Sequence, residues 1–249
     1  MAAMIKCKWC LESYSKLAKA HIIPEAFFRN YSVTGGRIYD ANSFSKLSRI
    51  GWYDNTISCA SCEKKLQSID DKAVKILLKD FNKIKVISPL NPNVLQIPKS
   101  ITQDLKRFFT YTLWKCSVSS LPEFERVKLG PYEDIIKSAL TENTYFSDDD
   151  FSFVGQYHLK PVGFTSPFKC LRKDFGGRVY YHLDLSTFGV DIKVDKQPAT
   201  DPWRSLSQLD HVAFFMFNTP PRNKIKAMRK ILFANAAFER SAKEKKRKL

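Results

Sequence analysis

The chain has 249 residues, enough to bury a sizeable core in one or two domains. Its 44% hydrophobic and 13% aromatic content excludes a disordered tail, and no apolar run approaches the roughly 20 residues that span a bilayer. The excess of 41 Lys+Arg over 25 Asp+Glu, a net +16, favours a polyanionic partner, and phosphate backbones are the commonest in cells.

The start, MAAMIKCKWC, lacks the apolar stretch of a signal peptide, so a cytoplasmic protein with no membrane partner is expected. A first knuckle, Cys7-Lys-Trp-Cys10, is followed by a basic segment and the run AHIIPEAFFRN. A loop with Gly35-Gly36, the turn Gly51-Trp52-Tyr53-Asp54-Asn55 and a second knuckle, Cys59-Ala-Ser-Cys62, come next. Residues 67–81 are expected to be helical, with Ala73, Val74, Leu77, Leu78 and Phe81 on one face and Asp70 and Asp71 near the favourable N-terminal end. Three prolines in residues 84–99 suggest a connector.

Further helices are expected over 102–117, burying Leu105, Phe108, Phe109, Thr112, Leu113 and Cys116, and over 132–140 after Gly130-Pro131. From residue 151 the texture turns to strands: FSFVGQYHL, PVGFTSPF, RVYYHLDL and FGVDIKV, with Gly176-Gly177 as a hairpin turn. HVAFFMFN is open to reading as a buried strand, which periodicity alone does not settle, and a last helix follows Pro220-Pro221 and ends in a basic tail. His158, His182 and His211 stand at no metal-ligand spacing and suit core or surface roles.

Of the six cysteines, four form the two CxxC pairs. Four thiolates are a complete tetrahedral set for a structural Zn2+, which would contribute folding energy directly. Cys116 suits a buried small hydrophobe, and Cys170 carries no visible chemistry.

Between the knuckles, Ala20-His21-Ile22-Ile23-Pro24, the Asp54-Asn55 turn and the CASCEKK helix start resemble the HNH (ββα-metal) superfamily over residues 7–80. The chain is also similar to a group of bacterial HNH-like proteins that pair an HIIP segment with G-x-Y-D-x-x-x-x-C-x-x-C. That similarity extends through FTYTLWKCSVS and VKLGPYEDII but names no reaction. The resemblance implies that His21 is a general base for water attacking a phosphodiester, a task suited to a neutral imidazole. It implies that Asn55 or Asp54 orients His21 or touches a catalytic Mg2+ or Mn2+. Many members carry an acid just before this histidine, where the chain has Ala20, so Glu63 or Asp70 is the expected substitute ligand. On the other reading, His21 is a hydrogen-bonded histidine beside the zinc and Glu63 a helix-start acid.

Lys19, Arg29, Arg37 and Arg49 are candidates to grip phosphates, or simply part of a solvated face. Trp9, Phe27, Phe28 and Trp52 suit packing around a small metal core better than base stacking. The expected architecture is α+β: an N-terminal zinc-stapled ββα-metal module over 1–82, then a mixed helical and β-rich accessory domain over 83–249 that can bind a partner protein. The expected function is metal-dependent endonucleolytic cleavage of DNA, favoured over RNA and suited to bacterial antiviral defence. The alternatives are a catalytically inactive zinc scaffold that binds nucleic acid or a partner protein, and an adaptor that touches no nucleic acid.

Overall fold

The computed structural model describes residues 4–29, 37–38, 46–47, 51–88, 91–144, 146, 150–158, 170–185, 187–198 and 212–217. Arg49, the Gly35-Gly36 loop, PVGFTSPF, His211, the expected last helix and the basic tail lie outside the described residues.

Short antiparallel pairs build the N-terminal region. β1 (Ile5–Lys6) pairs with β2 (Ser13–Tyr14) across the first knuckle. β3 (Ala20–His21) leads through Pro24 into α1 (Glu25–Arg29), whose Phe27 and Phe28 are buried. β4 (Arg37–Ile38) pairs with β5 (Lys46–Leu47), and β6 (Tyr53–Asp54) then returns to pair with β3. A helical stretch follows at once: α2 (Ala60–Val74), a π-helical segment Lys75–Asp80, and α3 (Phe81–Ile84). Residues 67–81 are helical as expected, and Ala73, Leu77 and Phe81 are buried. The helix begins ahead of residue 67, at the CASCEKK start, where Cys59 in extended backbone is its N-cap.

The connector expected over 84–99 is corrected by the structure. Its residues form β7 (Val86–Ser88) and β8 (Asn91–Ile97), paired antiparallel with a register shift between Ile87 and Ser88. The prolines allow this because Pro92 lies outside the pairs that β8 makes with its other neighbour, and Pro98 precedes the next helix as its N-cap. A missing N–H is tolerated at such strand ends and irregularities.

α4 (Lys99–Val118) contains the expected helix and is buried on almost every side: Leu105, Phe108, Phe109, Tyr111, Leu113, Trp114, Lys115 and Cys116 are all fully enclosed. A helix surrounded in this way is a central core element and not a surface layer. A short 3-10 turn (Pro122–Phe124) and α5 (Tyr132–Thr141) follow. No helix among the described residues is long and apolar enough to cross a membrane.

The remaining strands are β9 (Phe153–His158), β10 (Cys170–Phe175), β11 (Arg178–Leu185), β12 (Phe188–Lys193) and β13 (Val212–Phe217). They join β7 and β8 in a seven-stranded sheet of order β10-β11-β12-β9-β13-β8-β7, antiparallel except for the β13–β9 pair. Gly176 and Gly177 take positive φ of 59° and 74°, the geometry of a tight hairpin between β10 and β11.

One sheet face supplies Leu95, Ile97, Tyr181, Leu183, Val190, Ile192 and Phe214 to a core that also takes in Ile22, Ile23, Phe28, Leu66 and most of α4. The segments 1–82 and 83–249 therefore share one hydrophobic core, with α4 between the N-terminal elements and the sheet. Phe81 shows the join, its ring centroid 4.8 Å from Phe188 and 5.5 Å from Phe214.

Gly51 sets the approach of β6 to α1. Its φ is +76°, and a Cβ there would fall 2.1 Å from the Phe28 ring. Gly51→Ala should destabilise the protein by roughly 2–5 kcal/mol, from left-handed strain plus overpacking, measured as a lower urea midpoint.

Candidate metal centre and the His21 strand pair

The two knuckles meet. The sulfurs of Cys7, Cys10, Cys59 and Cys62 all lie within 4.8 Å of one another, close enough to hold a metal ion. The first knuckle closes through Leu11 N–H donating to the Cys7 carbonyl at 2.9 Å, with Leu11 in the left-handed region at φ 65°. The second arrives because the Lys8 N–H donates to the Ile57 carbonyl and the Ala18 N–H to the Ser58 carbonyl, each at 2.8 Å. The Cys59 N–H points at Cys7 Sγ, 3.3 Å away. Burial alone would raise the Cys59 thiol, but the Cys62 backbone N–H, the Tyr14 hydroxyl and neighbouring thiols bring it down to about 6; burial and shared hydrogen bonds push Cys62 upward. The lowering at Cys59 is in the direction of the thiolate, the form that binds metal.

The cluster is docked onto α4. Trp9, inside the first knuckle, sets its ring edge-on to Trp114 at 4.9 Å and to Tyr111 at 6.2 Å. The Lys8 ammonium donates to the Val118 carbonyl, and Lys137 Nζ donates to the Lys8 carbonyl at 3.4 Å. A cation on the last carbonyls of a helix complements its dipole. Trp9 thus serves in packing, as expected from the sequence.

His21 lies on β3 opposite Tyr53 of β6, their rings 6.3 Å apart, and the Ile22 N–H extends the pairing to the Trp52 carbonyl. The imidazole is half-buried, and its Nε2 is enclosed with no hydrogen-bond partner among the described residues. Burial lowers its pKa below the usual histidine value; Glu25 and Glu63 oppose that shift, while Lys115 and Lys19 reinforce it. The ring is therefore neutral at physiological pH, as proton acceptance requires.

The expected carboxylates of the site are engaged elsewhere. Asp54, expected to orient His21 or touch a metal, is committed to a clamp. Its Oδ1 accepts from the Thr56 N–H at 2.8 Å and hydroxyl at 2.7 Å. Its Oδ2 accepts from the Ser120 N–H at 2.6 Å and from the Ser119 and Ser120 hydroxyls at 2.9 Å. These bonds tie the β6 turn to the end of α4. Asn55 is exposed on the same turn. Glu63 accepts from the Ser58 hydroxyl at 2.6 Å, and Asp70 is bound by Lys115 Nζ at 3.0 Å.

The catalytic Mg2+ or Mn2+ that the HNH resemblance implies does not fit this arrangement. Among the described residues the four cysteines are the only group of His, Cys, Asp and Glu ligand atoms gathered closely enough for an ion. The expected ligands Glu63 and Asp70 are not brought together with Asp54 and His21, so no step is derived through such an ion.

Of the basic candidates, Lys19 is exposed with its Nζ 3.8 Å from the Tyr53 ring centroid, and Arg29 is exposed and paired with Glu25 at 2.9 Å. Arg37 is placed only as a β4 residue opposite Leu47.

Two polar groupings were not anticipated. Lys115 is fully buried in α4 and pairs with Asp70. A lone lysine inside the apolar stretch FFTYTLWKCSV was its only sequence signal. On the sheet, Asp191 Oδ1 lies 2.7 Å from His182 Nδ1 and 3.0 Å from Lys173 Nζ, and Gln156 Nε2 donates to Oδ2 at 2.8 Å. Burial opposes ionisation there, but His182 and Lys173 hold the carboxyl well below the usual range. His182 thus has a core role, with a charged partner that linear spacing could not disclose.

Burial would raise the Asp54 carboxyl, but the Thr56 hydroxyl, the Ser120 N–H and the Ser119 hydroxyl hold it below its ordinary value. A depressed folded pKa adds stability above the unfolded value of about 3.9, and that contribution is lost as pH falls through the folded pKa. Asp54→Asn should therefore cost roughly 2–4 kcal/mol at neutral pH and show a shallower stability loss than wild type from about pH 5 to about pH 3, followed by urea denaturation. No family model matches the sequence, and no curated protein or solved structure matches it either.

Proposed function

We propose that the chain is a zinc-stapled ββα protein of the HNH type that hydrolyses phosphodiester bonds in DNA, with His21 as the general base. The observation that carries this reading is a half-buried imidazole, its pKa lowered by burial, on the two-stranded pair of β3 with β6, which lies in the chain between the two gathered cysteine pairs and is followed by α2.

Zinc is the ion that four thiolates suit best. Tetrahedral Zn–S bonds of about 2.3 Å put sulfurs about 3.8 Å apart, and Cys10 and Cys59 Sγ already stand 4.0 Å apart. The ion closes the loop between the knuckles and so holds β3, β6 and the start of α2 in register. His21 would accept the proton of a water attacking phosphorus, and the net charge of +16 favours the polyanionic substrate.

The second reading, a zinc scaffold that binds nucleic acid without cutting it, is favoured by the commitment of Asp54, Glu63 and Asp70 to Ser119–Ser120, Ser58 and Lys115.

Elemental analysis of the purified chain should give about one zinc per molecule, and Cys59→Ser should lose it together with cooperative unfolding of the N-terminal region. Wild type and His21→Ala should be incubated with plasmid and with RNA in Mg2+, Mn2+ or EDTA. Hydrolysis by His21 predicts plasmid cutting reduced about 100-fold or more in the variant. Salt-sensitive DNA binding with no cutting by either protein replaces the nuclease with the scaffold, and neither cutting nor binding removes nucleic acid from the account.

A further inference from the structure

The four gathered sulfurs differ in their access to solvent. Cys7, Cys59 and Cys62 are 0%, 2% and 5% exposed, whereas Cys10 lies at the surface. It stands at the turn of the first knuckle beside Leu11, itself 56% exposed. A small solute that approaches the cluster from water therefore meets Cys10 first. The Cys10 Sγ lies 4.0 Å from Cys59 Sγ, which belongs to the other knuckle, 49 positions away in the chain. Cys7, the second sulfur of the first knuckle, already accepts the Cys59 N–H at 3.3 Å.

Oxidation of cysteine follows thiolate character and exposure, and sulfurs that ligate zinc are thiolates. The exposed sulfur is the point of attack, and a buried sulfur from across the loop is within reach to resolve it. An amide hydrogen bond draws charge from Cys7 and makes it the weaker nucleophile, which leaves Cys59 as the favoured resolving partner.

We propose that Cys10 and Cys59 are a peroxide-sensitive pair: oxidation starts at Cys10, closes a Cys10–Cys59 disulfide and releases the metal ion. In the first step Cys10 Sγ attacks an oxygen of hydrogen peroxide; the S–O bond forms, the O–O bond breaks, and the departing hydroxide is protonated to water. In the second, Cys59 Sγ attacks Cys10 Sγ; the S–S bond forms, the S–O bond breaks, and the hydroxide leaves as a second water. The two sulfurs give up two electrons, and one peroxide takes them. Cys7 and Cys62 are then left as two ligands where a closed zinc site needs four. The loop between the knuckles stays closed, because the disulfide constrains the same stretch of chain that the ion did. The inference rests on the zinc reading of the cluster and is independent of the nuclease reading.

The test uses the full zinc-loaded chain. Its zinc content is measured first, and hydrogen peroxide is then added in increments. Released zinc is read with a chromogenic chelator; remaining thiols are blocked, and cross-linked peptides are mapped by mass spectrometry. The expected result is loss of about one zinc per molecule, a dominant Cys10–Cys59 link, and recovery of zinc binding after reduction with dithiothreitol. The cross-linked, zinc-free chain should keep a cooperative urea transition that the reduced chain loses when a chelator strips it. No oxidation of Cys10, zinc retained once Cys10 is oxidised, or a dominant link from Cys10 to Cys7 or Cys62 overturns the proposal. Loss of the cooperative transition in the cross-linked chain overturns the covalent closure. A chain that holds no zinc before peroxide is added removes the zinc reading, and the proposal falls with it.

Discussion

Four cysteine sulfurs drawn within 4.8 Å of one another set the geometry of the N-terminal half. They join two stretches separated by about fifty residues, and everything placed near His21 follows from that closure. With Cys59 held against Cys7, the chain before it must return along β3, so Tyr53 meets His21 and Asp54 meets Ala20. With Cys59 as N-cap, α2 starts at a defined point and in a defined direction, which puts Asp70 on the side facing α4. Loop closure of this kind costs chain entropy, and a bound ion is a direct way to offset that cost.

The second constraint is α4. A helix enclosed on nearly all sides needs partners for most of the polar groups it carries, and the N-terminal elements supply several of them. Lys8 meets the Val118 carbonyl, Asp54 gathers Ser119 and Ser120, and Asp70 answers Lys115. Trp9 reaches from the first knuckle to Trp114 and Tyr111. The cysteine cluster and the central helix are therefore coupled through both packing and charge, and the N-terminal module is not a detachable appendage of the sheet.

That coupling explains why the residues around His21 take roles different from those suggested by their spacing. A carboxylate on the β6 turn is available to a histidine or a metal only if nothing else competes for it. Asp54 has five hydrogen-bond donors from Thr56, Ser119 and Ser120 within reach, and charge-assisted bonds of that number hold a carboxylate firmly in place. Asp70 faces a buried ammonium and pairs with it. The His21 imidazole keeps an enclosed Nε2 with no partner among the described residues, and burial lowers its pKa.

The amino-acid sequence by itself determined the local features. The paired CxxC spacing marked all four members of the sulfur cluster; apolar periodicity marked the helices at 67–81 and 102–117, and the Gly130-Pro131 break the one at 132–140; alternation with turn residues marked β9, β11 and β12, and Gly176-Gly177 the hairpin. Each depends on interactions within a few residues, which linear spacing encodes. The strands at 86–97 were hidden because prolines mask strand character when their missing N–H falls at an irregularity, a fact visible only once the neighbours are known. Only the tertiary structure decided which carboxylate meets which cation. Lys115 finds Asp70 across 45 positions, Asp54 finds Ser120 across 66, and Asp191 finds His182 across adjacent strands. Buried charges are paired by proximity in three dimensions, and no periodicity along the chain carries that information.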